Sequence, residues 1–244
     1  RVRVKGEFPR HGFMEFFSAA DIDAAMLRDV TAAREDPLSL GVDVARYGSA
    51  NSVLYYRKGR DGRTLQREIF NGINTVELAN RIFNAHFTYR PDGIFIDGGG
   101  VGGGVVDNVR QQRLHCHEVQ FGGKDDVGGS PWGITGERYA NKRAAMYGAA
   151  RAWLKTGAIP NEPEFKAGLL AIRYTYNVRD EIILVPKEDI IADNPGIIID
   201  DIDAFVLTFA YPVEASASAG GLHSQHQPLV EHEYDPFDEK RMVA

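Results

Sequence analysis

The stretch Ile94-Phe95-Ile96-Asp97-Gly98-Gly99-Gly100-Val101-Gly102-Gly103-Gly104-Val105-Val106 constrains the fold more than any other part of the chain. Three apolar residues run into an aspartate, a series of glycines follows, and the apolar spacing of a helix start comes next. That order predicts a buried strand carrying one carboxylate at its C-terminal end, where open α/β sheets place their ligands. The glycines permit a tight turn and leave the space beside Asp97 free for a bulky, charged group.

The rest of the chain supplies partners for that strand. Leu38-Ser39-Leu40-Gly41-Val42-Asp43-Val44-Ala45 reads as a first core strand with Asp43 near its end. Arg46 to Asn51 makes a turn, Ser52 to Tyr56 a second strand, Arg57 to Arg63 a hairpin tip, and Thr64 to Phe70 a third strand, giving an antiparallel meander. Asn74 to Tyr89 has helical periodicity and stops before Pro91. After the Asp97 strand come a helix through Gln112 and a strand from His115 to Phe121. A glycine-rich surface loop, Phe121 to Gly136, leads to a helix over Glu137–Thr156. A short helix over Glu164–Ala171 precedes a hairpin of Ile172–Tyr176 and Glu181–Val185. The last helix begins at Ile197-Ile198-Ile199-Asp200-Asp201-Ile202-Asp203 and runs to about Tyr211. The order predicts an α/β fold: a mixed sheet of antiparallel meander plus parallel strands, flanked by helices, with an accessory β-hairpin.

Ahead of this body, residues 1–36 read as an entry segment. Arg1 to Val4 alternates like a strand, and Ser18-Ala19-Ala20-Asp21 opens a reciprocally capped helix expected to reach Glu35 and dock on the body. Because the first residue is Arg1, the chain is expected to be part of a longer polypeptide. Residues 37–212 form the expected main domain, and 213–244 a flexible acidic tail; residues 221–244 hold five acids and two bases. Among 244 residues there is a single cysteine, Cys116, which excludes an internal disulfide framework. No apolar run approaches the roughly 18 residues of a membrane span. A net charge of −6 excludes a broadly basic nucleic-acid coat, so any such contact needs a local patch.

Asp43 and Asp97 end strands that such a sheet can set side by side, and Asp203 starts a helix. Carboxylates converging in a partly buried site repel and resist ionisation. A divalent cation resolves the conflict, since Mg²⁺ takes hard oxygen ligands from few carboxylates. Two such ions about 3.5–4 Å apart suit phosphodiester hydrolysis. His115 and His117 share a strand face but lack further ligands at zinc spacing. Taken singly, Asp43 also suits a turn, and Asp200 or Asp203 a helix cap.

Five short motifs in order resemble the nuclease domain of the large terminase subunit of tailed bacteriophages, an RNase H-like fold. They are Gly41-Val42-Asp43-Val44-Ala45-Arg46-Tyr47-Gly48, Ile96 to Val105, Asn141-Lys142-Arg143, Lys187-Glu188-Asp189-Ile190 and Asp200-Asp201-Ile202-Asp203-Ala204-Phe205. The resemblance spans residues 1–212 and implies a metal-dependent endonuclease that cuts concatemeric viral double-stranded DNA during genome packaging in the host cytoplasm. By that resemblance Asp43, Asp97 and Asp203 are the catalytic, metal-binding acids, Asp200 assists, and the cofactor is Mg²⁺ or Mn²⁺ as two ions. An upstream ATPase domain of the same subunit, the portal protein and the small terminase subunit are the implied partners. Many relatives carry another acid where this chain has Ala50. No Gly-x-x-x-x-Gly-Lys-Ser/Thr loop occurs, so the motor itself is not here.

DNA contacts without sequence preference should fall on phosphates. The candidates are Lys142, Arg143, Arg138, Lys58, Arg60 and Lys187, with Arg63, Arg173 and Arg179; Trp132 is a candidate for base stacking. Three other functions fit parts of the pattern. An actin- or sugar-kinase-like ATP-binding domain shares the core and the two phosphate-loop-like segments, but requires a second similar domain and a late adenosine motif. A resolvase or transposase core shares the chemistry. A non-enzymatic assembly module would dock through the acidic tail.

Overall fold

A computed structural model describes residues 13–45, 50–124 and 136–215. The expected Arg1–Val4 strand, most of the 46–51 turn, the centre of the glycine loop with Trp132, and most of the acidic tail lie outside the described residues.

The body is a five-stranded sheet in the order β4-β3-β2-β5-β6. Its strands are β2 (Leu38–Asp43), β3 (Asn51–Lys58), β4 (Glu68–Asn71), β5 (Gly93–Asp97) and β6 (His117–Val119). β2, β3 and β4 form the antiparallel meander, and β5 lies parallel to both β2 and β6. This is the mixed sheet the strand order predicts. Helices α2 (Thr75–Tyr89) and α3 (Gly102–Gln111) cover one face, against Leu40, Val42, Leu54, Ile94 and Ile96. α4 (Lys142–Leu154), α5 (Pro163–Ala171) and α7 (Asp200–Leu207) belong to the core on the other face, with Val53, Tyr55 and Phe95. Alternation along each strand divides the two cores.

The expected accessory hairpin is present as β7 (Arg173–Tyr176) and β8 (Ile182–Leu184). Strand β1 (Met14–Glu15) pairs with β7, making a second, three-stranded antiparallel sheet. Phe16 and Phe17, just after β1, are buried beside Tyr147 of α4, so this part of the entry segment is built into the main core.

Several boundaries differ from expectation for identifiable reasons. α1 covers only Ala19–Leu27, and Ser18 makes no side-chain cap bond. At Arg28 the backbone turns extended while its guanidinium donates to the carbonyls of Leu154 and Gly157. α4 starts at Lys142 rather than Glu137, because Arg138 and Ala140 are spent on backbone bonds to Ile182 of β8. The Asn141 side chain then caps the helix by accepting from the Ala144 N–H at 2.9 Å. A helix not expected, α6 (Lys187–Asp193), follows β8 after Val185 and Pro186. α2 ends as predicted before Pro91, with Arg90 left-handed at φ 53°.

A carboxylate pocket closed on a lysine

Two strand ends and one helix start build the site. β2 and β5 are neighbours in parallel register, Val42 opposite Ile96, so Asp43 and Asp97 leave adjacent strand ends on the same face. That face meets α7. Opposite α7, β2 presents Ser39 and Gly41, and a Cβ at Gly41 would lie 2.1 Å from the Ala204 carbonyl oxygen. Glycine there lets α7 rest on the strand backbone, which carries Asp200 and Asp203 to Asp43. All eight residues of α7 are buried, acids included. Their place in the first turn sets them at the positive end of the helix dipole, which offsets part of the burial cost.

The acids converge on Lys187, at the start of α6. Its ammonium lies 3.2 Å from Asp43 Oδ2, 2.8 Å from Asp200 Oδ1 and 2.9 Å from Asp203 Oδ2. The other oxygens are engaged elsewhere: Asp200 Oδ2 accepts from the Asn51 N–H at 3.0 Å, and Asp203 Oδ1 accepts from the Tyr147 hydroxyl at 2.7 Å. Arg143 is 3.5 Å from Asp203 Oδ1 and donates to the Val185 carbonyl. Asp97 lies at the rim, accepting from the Gly99 N–H at 2.9 Å. Next door, Arg67 bridges Asp201 (2.7 Å) and Glu162 (2.7 Å), which ties the first turn of α7 to the start of α5.

The charges do not balance. Burial, reinforced by Asp203, Asp200 and Asp97 and opposed only by Lys187, pushes the Asp43 carboxyl up to about 8. Burial also raises Asp97. Asp203 is held low against its burial by Arg143, Lys187 and the Tyr147 hydroxyl. The surrounding carboxylates raise Lys187 despite its burial. Fully ionised, the four carboxylates would exceed the two cationic side chains by two negative charges, the charge of one divalent cation; with no cation bound, the raised Asp43 carboxyl keeps its proton and relieves part of that excess. All the donors are hard carboxylate oxygens, the set Mg²⁺ and Mn²⁺ take. The residues fit such an ion. As they stand they close on Lys187, and among the described residues no three acid, histidine or cysteine side chains are already spread around a common point as metal ligands.

The sequence-predicted contacts divide. Asp43, Asp97, Asp200, Asp203, Lys187 and Arg143 come together. Lys142 starts α4 nearby but is 3% exposed, with its ammonium 4.1 Å from the centre of the Tyr211 ring. Arg138 and Arg179 are exposed on the second sheet, both paired with Glu181. Lys58 sits opposite Leu38, at the start of β2, and Arg60 follows it. That is the end of the sheet away from the acids, about 17 Å along the strand. Ala50 is exposed beside Asn51 and brings no carboxylate to the site. Sequence reading missed Tyr147 and Asn51, whose contacts depend on packing between distant segments.

Sequence comparison finds no matching family model and no matching curated relative. Solved structures do match. The nuclease domain of the large terminase subunit of bacterial virus Sf6 aligns over 82% of this chain and 100% of its own length, with 15% identity and a TM-score of 0.65. A lysine-to-alanine mutant of that domain, with manganese and beta-thujaplicinol, gives 0.67 at 14% identity over the same shares. The large terminase nuclease of thermophilic phage G20c with bound magnesium aligns over 80% of this chain and 96% of its own, with 15% identity and a TM-score of 0.55. This chain therefore has the fold of the phage large terminase nuclease domain.

Proposed function

We propose that the chain is a divalent-metal-dependent endonuclease that hydrolyses concatemeric double-stranded viral DNA during genome packaging. The observation that carries the reading is the convergence of Asp43, Asp97, Asp200 and Asp203 at adjoining strand and helix ends, with charge left over for a dication. The structural likeness adds support, since the Sf6 and G20c domains are nucleases known with manganese and magnesium.

Asp43, Asp97 and Asp203 are the residues that would hold the metal, with Asp200 beside them. Bound there, it supplies Lewis acidity toward the phosphodiester and lowers the pKa of a water nucleophile. The protein's own excess charge suffices for one ion, so a second would depend on the negative charge of the DNA phosphate. Asp43 and Asp97 extend from adjacent strands of one sheet and are held at a fixed lateral spacing. Lys187 keeps positive charge in the pocket and limits repulsion when substrate is away. Gly99 and Gly100 leave the rim beside Asp97 open, and a Cβ at Gly100 would meet nothing within 4 Å. A sugar–phosphate backbone can approach the main chain there. Arg138 and Arg179, exposed at the hairpin end, are the flanking phosphate contacts we assign; like Lys58 and Arg60 they stand away from the acids and do not hold the scissile phosphate. On this reading an ATPase domain of the same subunit delivers the DNA, with portal and small terminase subunit as partners, in the host cytoplasm.

The test is cleavage of supercoiled and linear DNA with Mg²⁺ or Mn²⁺, without ATP. Cutting that EDTA abolishes and that Asp97→Asn and Asp203→Asn each remove is the expected result. Metal-independent cutting, or full activity in Asp97→Asn, overturns the reading; tight ATP binding with no cleavage selects the actin- and kinase-like alternative. Preference for branched over linear DNA selects the resolvase one.

A further inference from the structure

Asp203, like Asp200, turns one oxygen to Lys187 and has the other engaged, but its outer partners are side chains of α4 where Asp200 has a backbone N–H. The Asp203 side chain is 2% exposed, and its two oxygens face opposite ways chemically. Oδ2 turns toward Lys187 and the pocket, while Oδ1 takes the Tyr147 hydroxyl at 2.7 Å. Arg143 stands behind the same oxygen at 3.5 Å, its guanidinium lying 5.1 Å from the Tyr147 ring centre and fixed at its other end by the Val185 carbonyl. Tyr147 and Arg143 are four apart on α4, so they share one helix face. Tyr147 is itself fully buried, its ring met edge-on by Phe16 and at a tilt by Phe17. Neither side chain is free to follow a moving carboxylate.

We propose that Tyr147 and Arg143 are a positioning pair: they occupy Asp203 Oδ1 and so commit Oδ2 alone to the metal. This rests on the metallonuclease reading and deepens it. A carboxylate with both oxygens free can rotate and swing between one- and two-oxygen binding. One with an oxygen already bonded presents a single donor in a fixed direction, and such outer partners commonly govern metal affinity. The assignment also moves Arg143 from the DNA surface to the scaffold of the site. A guanidinium 12% exposed, with Nη1 on a backbone carbonyl and Nη2 buried beside the Asp203 carboxylate, offers little surface to a phosphate.

The test measures Mn²⁺ binding to the full chain, by electron paramagnetic resonance of free Mn²⁺, with no substrate present. Tyr147→Phe should weaken binding about tenfold. Tyr55→Phe is the control: it removes another buried tyrosine hydroxyl of the same core, one that donates to the Gly62 carbonyl at 2.9 Å, away from the acids. It should leave Mn²⁺ affinity within about twofold, since it touches no ligand. Arg143→Lys keeps the charge but loses the two-ended fork, and should weaken binding about threefold or more; if Tyr147→Phe does not fold, this variant decides. Wild-type affinity in Tyr147→Phe, or equal losses in Tyr147→Phe and Tyr55→Phe, overturns the positioning role. An Arg143→Lys protein with unchanged Mn²⁺ affinity but an altered salt dependence of DNA binding returns Arg143 to the DNA surface. A wild-type chain that binds no Mn²⁺ overturns the metallonuclease reading itself, a separate result from any of these.

Discussion

The two faces of the sheet solve the same packing problem in opposite ways. On the α2/α3 face, Leu40, Val42, Ile94 and Ile96 meet Leu78, Ile82, Val105 and Val109 in an uninterrupted apolar layer. On the α7 face the same strand β2 offers Ser39, Gly41 and Asp43, and a helix with three acids in its first turn lies against it. The first face gains stability from side-chain volume. On the second, β2 alone gives up volume so that backbone meets backbone and the carboxylates crowd together, while Tyr55, Trp153, Phe165 and Phe205 fill the core beside it. Along β2 itself, apolar packing and acid placement are assigned to opposite faces by the pleat of one strand.

That contrast can be broken at its chemical end first. Asp203→Asn should lower metal-dependent cleavage by about a thousandfold or more, as expected where a ligand and its charge are lost together, while far-ultraviolet circular dichroism stays unchanged. On the apolar face, Ile82→Ala should cost about 3 kcal/mol in denaturant unfolding through the cavity it leaves; cleavage per folded molecule should stay near wild type. Gly41→Ala tests the close contact. It should cost roughly 1–3 kcal/mol through overpacking and also depress Mn²⁺ affinity, because α7 must move. A destabilised Gly41→Ala that keeps full affinity would show that the helix position is not set by that strand.

Acidity sharpens the comparison further. In EDTA, folded Asp43 holds its proton up to about 8, whereas an ordinary carboxyl releases it near 3.8. The folded state then binds more protons than the unfolded one, so this contribution is fully present below about pH 4 and is lost as pH rises toward 8. Denaturation midpoints should therefore fall between pH 5 and pH 8, and fall less in Asp43→Asn. The smallest effect is expected at the far end of the sheet: Lys58→Ala with Arg60→Ala should leave the salt slope of DNA binding unchanged. Arg138→Ala with Arg179→Ala should reduce it by up to about two.

Much of this was legible in the residues. The strands ending at Asp43 and Asp97 announce themselves as apolar runs capped by an acid, and parallel neighbours follow from the helix between them. α7 was visible as an apolar helix with acids at its start, though Ile197–Ile199 stay outside it. What escaped has separate causes. α6 is one short helix begun by Pro186, with acids in its first turn and too few residues to show a period. α1 stops short of the expected Glu35 because the contact of Arg28 with Leu154 and Gly157 takes the chain elsewhere, although Ile22, Met26 and Val30 keep helical spacing. Arg143 carried the chemical type of a DNA contact but lies inward, and Tyr147 sits in a helix where a tyrosine signals only core. Charge type is written in one residue; the direction it faces belongs to the assembled chain.

The seat of α7 on Gly41 has one more effect. Where a side chain forms the spacer between two elements, a change of rotamer alters the gap; here the spacer is a main chain whose dimensions are covalent. The span from Asp43 to the Asp203 end of the helix is thus gauged by the hard contact of two backbones, not by the rotamers of neighbouring side chains. Warming the protein should blur its periphery well before that calibration drifts.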